Sequence, residues 1–199
     1  MPRPSTGFPQ FPQQMAQAFL LNDRMNQLVL ERLDRRAWRA KLPNQKCRTI
    51  ADIFAHIHNI RCKWLRLSAP NINLPTRLDR RRCTSRQVRT ALAESALCCS
   101  EMLAETLKTS ADSGRSFLRD GWARPWQPGA AMFAYMISHD AHHRGQVCML
   151  AHQLGYPLPT AAGAGMWSWE RLAKQCGFEL SAPTKAKRPA RNRALSGRN

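Results

Sequence analysis

The chain has 199 residues, of which 43% are hydrophobic, a content that indicates a globular protein and argues against wholesale disorder. No run approaches the roughly 18 apolar residues of a membrane span. The first residues also lack the apolar core of a secretory signal, so we expect a cytoplasmic protein. Lysine and arginine total 31 against 13 acidic residues, a formal net charge of +18.

The seven cysteines are odd in number and lack Cys-x-x-Cys spacing. We therefore expect small apolar fillers rather than a zinc ribbon or a disulfide framework.

Helical periodicity dominates the chain, which shows no internal repeat and no convincing strand alternation. Residues 1–13 contain four prolines and are predicted to be a disordered N-terminal arm. The predicted long helices run from about Gln14 to Ala40, from Thr49 (the N-cap) to Ser68, from Thr84 or Ser85 to about Leu107, and from Pro128 to Gly155. A shorter helix is predicted around Met166 to Gln175, and residues 109–128 are expected to be a loop whose Trp122 and Trp126 pack against the helices.

These elements predict an all-α fold, a four-helix bundle with a crossover connection and a short C-terminal helix, because loops of more than a dozen residues separate the long helices. The bundle domain is expected over residues 14–180, followed by a basic disordered tail over 181–199. That tail holds six basic residues and no acid, so the rest of the chain still carries +12 (18 − 6). A field of this sign attracts polyanions, including nucleic acid.

Two histidines interrupt the apolar stripe of the fourth predicted helix. The stripe consists of Met132, Met136, His139, His143, Val147, Leu150 and Leu154, three or four residues apart. His139 and His143 have the i, i+4 spacing that lets two imidazoles grip one ion. Burying an unpaired donor or acceptor costs roughly 1–3 kcal/mol. Adjacent histidines aimed at a core therefore favour a divalent metal ion as their shared partner.

A third ligand would have to come from the second predicted helix, which holds His56 and His58. These two lie about 200° apart around that helix, so only one of them can face the same centre, and periodicity does not decide between them. His142 falls at the edge of the stripe, and His152 lies on the opposite face as a surface residue.

Several segments resemble one protein family. The run HDAHHRGQ at residues 139–146 is similar to the His-x-x-x-His-Arg-Gly-Gln signature of the DinB/YfiT-like family of metal-dependent proteins. The stretch TIADIFAHI at residues 49–57 is similar to the second helix of that family, and QLGYPLP at 153–159 with GMWSW at 165–169 resembles its C-terminal region. The likeness extends over roughly residues 15–178.

The resemblance implies a four-helix bundle, often dimeric, that holds a divalent metal ion with three histidines. Matched position by position, the ligands would be His56, His139 and His143. Three neutral imidazoles leave a coordination position open, which suits catalysis better than a structural role. Imidazole ligation fits Zn, Ni or Fe.

The leading functional hypothesis is a metal-dependent enzyme, by analogy with thiol-dependent members of the family. It would be a thiol S-transferase or a hydrolase, and would use a low-molecular-weight thiol cosubstrate or water to attack a small electrophile. The alternative is a non-catalytic helical protein, stress-associated or nucleic-acid-binding, that uses its basic surface and tail. A dimeric scaffold is a third reading.

Other charged residues are also candidates. Six arginines flank the start of the third helix. If they lie at the open side of the metal, they would bind the carboxylates of an anionic thiol or of an acidic substrate. The alternative is a solvated face with no specific partner. These arginines are Arg77, Arg80, Arg81, Arg82, Arg86 and Arg89. Asp52 and Asp140 are expected to be solvated surface acids, with orientation of a ligand imidazole as the alternative. Arg144 points off the core stripe and is expected to form a salt bridge or a contact between helices.

Overall fold

A computed structural model describes residues 11–43, 47–108, 118–119, 122–125 and 131–178. The helices in these ranges are α1 (Phe11–Arg32), α2 (Ile50–Ser68), α3 (Ser85–Lys108), α4 (Ala131–Gln153), α5 (Thr160–Trp167) and α6 (Trp169–Gln175). α1 and α2 each pack against both α3 and α4, so α1 lies diagonally opposite α2, and α3 lies diagonally opposite α4. The connection from α1 to α2 therefore crosses the bundle, which confirms the predicted all-α four-helix bundle with a crossover.

The first helix differs from its prediction at both ends. It begins at Phe11, so residues 11–13 are helical, whereas residues 1–10 of the predicted arm lie outside the described residues. It ends at Arg32 instead of near Ala40. Asp34 starts a separate 3-10 turn over Arg35–Ala37, in which its carboxylate accepts a hydrogen bond from the amide of Arg36 at 2.8 Å.

The second and third helices begin where their caps are predicted. Thr49 caps α2 through a reciprocal pair of hydrogen bonds with Asp52, which corrects the expectation that Asp52 is a solvated surface acid. At the start of α3, the amide of Gln87 donates to the Thr84 hydroxyl at 3.2 Å, and the Thr84 amide donates to the Gln87 side chain at 2.9 Å. These local bonds fix the register of both helices.

The C-terminal part contains one helix more than predicted. α4 is closed by Gly155, whose φ of 79° is the left-handed conformation expected of a glycine C-cap. The predicted helix around Met166 to Gln175 is in fact two helices, α5 and α6, which meet at Ser168. α5 was missed because its sequence, TAAGAGMW, has two glycines and no polar–apolar periodicity.

A short antiparallel hairpin, β1 (Leu118–Arg119) and β2 (Trp122–Pro125), replaces part of the predicted loop and lies beside α2. The residues between the two strands are Asp120 and Gly121, the dipeptide most typical of two-residue hairpin loops. The predicted packing of Trp122 and Trp126 concerns side chains outside the described part of the chain.

A polar layer separates the two larger apolar clusters of the core, and a third, smaller cluster packs α1 against α6. One of the two larger clusters includes Phe54, Ile57, Leu92 and Val147, and the other includes Phe19, Trp64, Met102 and Met136. Between them, near the middle of each long helix, lie the buried polar side chains Asn22, Asp23 and Asn26 on α1, His58 and Arg61 on α2, Ser95 on α3, and Asp140 and His143 on α4. All seven cysteines are free, and three of them, Cys62, Cys83 and Cys99, are buried.

Two further predictions concern the C-terminal tail and membrane-spanning helices. The predicted basic tail over 181–199 lies outside the described residues. Within the described ranges, no helix has the length and apolar character needed to cross a membrane.

Candidate metal centre

Three histidines from α2 and α4 converge beside the polar layer. The ring centroids of His56 and His143 are 4.6 Å apart, those of His139 and His143 4.5 Å, and those of His56 and His139 5.3 Å. One ring nitrogen of each histidine lies within 4.8 Å of the other two. The Nε2 atoms of His56 and His139 are 3.4 Å apart. Two nitrogens bound to one tetrahedral Zn²⁺ at about 2.1 Å would have a separation of about 3.4 Å.

His58, the other candidate on α2, faces a different part of the molecule. It is fully buried, with Nε2 2.9 Å from the carbonyl oxygen of Thr76 and Nδ1 3.1 Å from the Ser95 hydroxyl. Burial lowers the pKa of His58, and the ring donates from Nε2 to the carbonyl oxygen of Thr76. His58 is a structural histidine, and His56 is the one that lies beside the α4 pair.

The outer nitrogen of His143 is held by a neighbour one turn along α4. Its Nδ1 lies 2.7 Å from Oε1 of Gln146, and Nε2 of Gln146 lies 3.0 Å from Nε2 of His142. The Gln146 oxygen accepts a hydrogen bond from the N–H group at Nδ1, so the lone pair of the neutral ring is on Nε2 of His143. Ligand histidines are commonly oriented in this way by an outer-shell acceptor. His142 is exposed and borders the site through Gln146 and through its ring, whose centroid lies 5.0 Å from that of His143.

His139 is oriented by a buried carboxylate. Its Nδ1 lies 3.4 Å from Oδ1 of Asp140, and the Asp140 side chain is completely buried. The expectation that Asp140 is a solvated surface acid is therefore wrong, because Asp140 belongs to the buried stripe of α4, and the side chain of His139 beside it is only 10% exposed. Burial alone would raise the pKa of Asp140, but the Arg61 guanidinium and the His139 ring hold it below the usual range. Asp140 is therefore an anion that accepts from His139.

Asp140 is in turn fixed by residues of α1 and α2. Arg61, buried at the bundle axis, pairs with Oδ2 of Asp140 and with Asp23, whose oxygen lies 2.7 Å from the guanidinium. Asn22 also donates to Oδ2 of Asp140 at 3.0 Å. Arg144 binds the side-chain oxygens of Asn22 at 3.0 Å and Asn26 at 2.8 Å. The expected contact of Arg144 between helices is thus a contact of α4 with α1.

Burial keeps two of the three imidazoles, those of His56 and His143, neutral. Burial, reinforced by the neighbouring rings of His143 and His139 and by Arg48 and Arg80, lowers the pKa of His56 to about 3. Burial also lowers the pKa of His143. Neutral rings carry the lone pairs that a metal ion needs.

Arg80 is the member of the predicted arginine cluster that reaches the site, with a guanidinium nitrogen 3.1 Å from Nδ1 of His56. Arg77, Arg82, Arg86 and Arg89 instead line grooves beside the first half of α3. Arg48 precedes α2 and lines a groove of about 800 Å³ together with His142 and His143. The open side of the histidine cluster is therefore bordered by positive charge.

Arg61 was not singled out from the sequence, although a signal for it existed. The apolar stripe of α2 passes through Phe54, Ile57 and Trp64, and Arg61 lies on the same face, four residues after Ile57. A charge inside an apolar stripe is the same kind of irregularity that identified His139 and His143. The Arg80 contact had no comparable signal, because it depends on how the connection between α2 and α3 folds back.

The arrangement defines a class of protein: a four-helix bundle in which imidazoles from two helices converge, with one ring nitrogen of each close enough to the others to hold a divalent ion. The donor set suits such an ion, because the pKa values of His56 and His143 are lowered, and Asp140 and Gln146 hold two of the three rings by their outer nitrogens. The chain matches the DinB family over residues 1–174 and therefore belongs to that family. No curated protein and no solved structure shows significant similarity to the chain.

Proposed function

We propose that the protein binds one divalent metal ion through His56, His139 and His143, and that it is a metal-dependent enzyme acting on a small electrophile. The observation that supports this most is the convergence of three ring nitrogens, one from each histidine, within 4.8 Å of one another. Zn²⁺, Ni²⁺ and Fe²⁺ all accept such a donor set.

The chemistry follows from the three-ligand arrangement. An ion held by three neutral ligands keeps an open position and supplies a nucleophile at neutral pH by lowering the pKa of a bound water or thiol. Asp140 and Gln146 hold the rings in place, and Trp64 covers His139 with its ring 5.1 Å away. The groove beside His143 gives a small substrate access. Thiol transfer, with a low-molecular-weight thiol as cosubstrate, and hydrolysis are the two reaction classes that such a site would support.

Metal analysis of protein purified without chelators tests the site. We expect about one ion per chain in the wild type and loss of the ion in His143→Ala. His152→Ala is the matched control, because His152 lies on the same helix and is exposed. Equal metal content in wild type and His143→Ala would contradict the proposed site. A thiol-transfer assay with a generic electrophile, with and without added metal, then distinguishes an enzyme from a metal-binding scaffold.

Two partners named from the sequence stay predictions. These are a homodimer and nucleic acid bound through residues 181–199. Salt-dependent retention on immobilised DNA that disappears when residues 181–199 are deleted would assign such binding to the tail.

A further inference from the structure

The first half of α3 presents a ridge of arginines to solvent. Arg82, Arg86 and Arg89 follow one another at spacings of four and three residues, so that Arg86 and Arg89 share one face of the helix and Arg82 directly precedes that face. All three are exposed, whereas Val88 and Leu92 on the opposite face are buried in the core. We call these three residues the arginine ridge.

A groove runs along each side of the arginine ridge. On one side, Arg77 in the connection between α2 and α3 lines a groove of about 480 Å³ together with two arginines of the ridge. On the other side, Arg35 and Arg39, which follow α1, line a second groove of about 480 Å³ together with all three. The first groove includes Gln87 and the second Ser85, which lie about 200° apart around the helix. Three segments of the chain therefore bring their arginines together around α3.

Little of this positive charge is neutralised within the protein. Arg35, Arg77 and Arg86 form no ion pair in the part of the chain that the structure describes. Two acids line the first groove, of which Asp79 lies 3.9 Å from Arg82 with both side chains more than half exposed, a pair that contributes little. The acid that lines the second groove is already shared by two arginines. The ridge and its grooves therefore favour a ligand with several negative charges.

The dimensions of the ridge match the major groove of B-form DNA. An α-helix with its side chains is about 10–12 Å across, and that groove is about 12 Å wide. With α3 in the DNA groove, the grooves on its two sides would each face one phosphate backbone, and guanidinium groups bind phosphate oxygens through charge-assisted hydrogen bonds. The deep, narrow major groove of an RNA duplex does not admit such a helix. The shape of the surface thus distinguishes between two polyanions of similar charge.

We propose that the protein binds double-stranded DNA through the arginine ridge, with Arg77 placed to contact one phosphate backbone and Arg35 and Arg39 the other. This function is separate from the proposed metal site, because none of the three candidate ligands lines either groove. It also differs from binding through residues 181–199, since these contacts come from the folded bundle. Contacts with phosphate oxygens carry no sequence information, so the binding is salt-dependent and general for sequence.

The test measures binding of the full chain to a fluorescein-labelled DNA duplex of about 20 base pairs, by fluorescence anisotropy over a range of salt concentrations. In Arg82→Ala/Arg86→Ala we expect weaker binding and a slope of log K against log[salt] that is shallower by about two, one for each phosphate contact removed. Arg66→Ala/Arg171→Ala is the matched control, because it removes the same charge from exposed positions outside both grooves and should keep the wild-type slope. Circular dichroism checks that both variants fold, as expected for exposed side chains.

A second arm replaces the DNA duplex with an RNA duplex of corresponding sequence and equal length. We expect the wild type to bind the DNA duplex more tightly, because only DNA admits α3. The inference is wrong if the DNA duplex is not bound, or if Arg82→Ala/Arg86→Ala keeps the wild-type slope, which would assign the binding to another surface such as residues 181–199. An equal loss in the control would show a general effect of net charge and would also overturn it. Equal affinity for the two duplexes would exclude insertion of α3 into the major groove.

Discussion

Asp140 links the candidate metal centre to the interior of the bundle. One of its oxygens faces Nδ1 of His139, and the other pairs with Arg61, whose side chain is completely buried. Arg61 also pairs with Asp23 on α1. A single carboxylate therefore orients a candidate ligand and neutralises a charge that could not stay buried without a partner.

Replacing Asp140 with Asn should destabilise the fold, because it removes one of the two anions paired with Arg61. We expect the free energy of unfolding to fall by roughly 3 kcal/mol, at the low end for a broken buried pair since Asp23 remains. Urea denaturation followed by circular dichroism measures the change. Asp79→Asn is the control, since its carboxylate is more than half exposed in its pair with Arg82 and should matter little. Equal effects of the two substitutions would contradict the role given to Asp140.

At this scale the sequence predicted some residues well and others poorly. The i, i+4 spacing of His139 and His143, and their likeness to a known signature, selected residues that the structure does bring together. The His56 and His58 alternatives could not be separated from periodicity, because the deciding contacts of His58 come from Thr76 and Ser95, far along the chain. Asp140 was misjudged because an aspartate is buried only when a distant partner such as Arg61 neutralises it.

Among the larger elements, the connection between α2 and α3 takes its position from α2. His58 binds the carbonyl oxygen of Thr76, and Asn59 binds both backbone groups of Leu78. α2 therefore carries His56 at the candidate metal centre and, through His58 and Asn59, also holds the connection that contains Thr76 and Leu78. Residues 56–59 thus contribute both to the histidine cluster and to the position of the connection between α2 and α3.

Asn59→Ala should loosen this connection without unfolding α2. The Leu78 amide would lose its acceptor, so we expect its hydrogen exchange to accelerate by at least tenfold, measured by NMR or mass spectrometry. The amide of Ile53, which donates to the carbonyl oxygen of Thr49 in the first turn of α2, serves as an internal control and should stay unchanged. Unaltered exchange at Leu78 would mean that other contacts hold the connection.

The predicted elements were most accurate where local bonds define them. Thr49 and Thr84 cap their helices through residues three positions away, and Gly155 closes α4, so these boundaries are readable from short sequence patterns. α1 ends earlier than its apolar periodicity predicts, because Asp34 caps a separate 3-10 turn over Arg35–Ala37. The hairpin had its own signal in Asp120-Gly121, which the proline and glycine content of the surrounding segment obscured.

For the molecule as a whole, three histidines that stay neutral when folded make stability depend on pH. The folded protein holds the pKa values of His56, His58 and His143 below 6.5, and that of His56 falls to about 3. As pH falls below 6.5, the unfolded chain takes up protons on these rings before the folded chain does. The stability they contribute is therefore complete above about pH 6.5 and is lost progressively towards pH 3.

Thermal unfolding in the presence of a chelator tests this dependence. We expect the Tm to fall by several degrees between pH 7.5 and pH 5, and His56→Asn to show a shallower fall than the wild type. His152→Ala should keep the wild-type slope, because His152 is exposed. A Tm that does not change between pH 7.5 and pH 5 would contradict the expected loss of stability as the pH falls.

The candidate metal centre has a buried part, in the polar layer, and a solvent-exposed part, which carries Arg48 and Arg80. His139 and Asp140 are bound into contacts with Arg61 and Asn22, so a substitution there disturbs the interior of the whole bundle. Arg48 and Arg80 lie at the rim and contact solvent, so exchanging them leaves the interior intact. Substitutions in the two surface segments that carry Arg48 and Arg80 would therefore change the charge beside the histidine cluster and leave the buried contacts behind it unchanged.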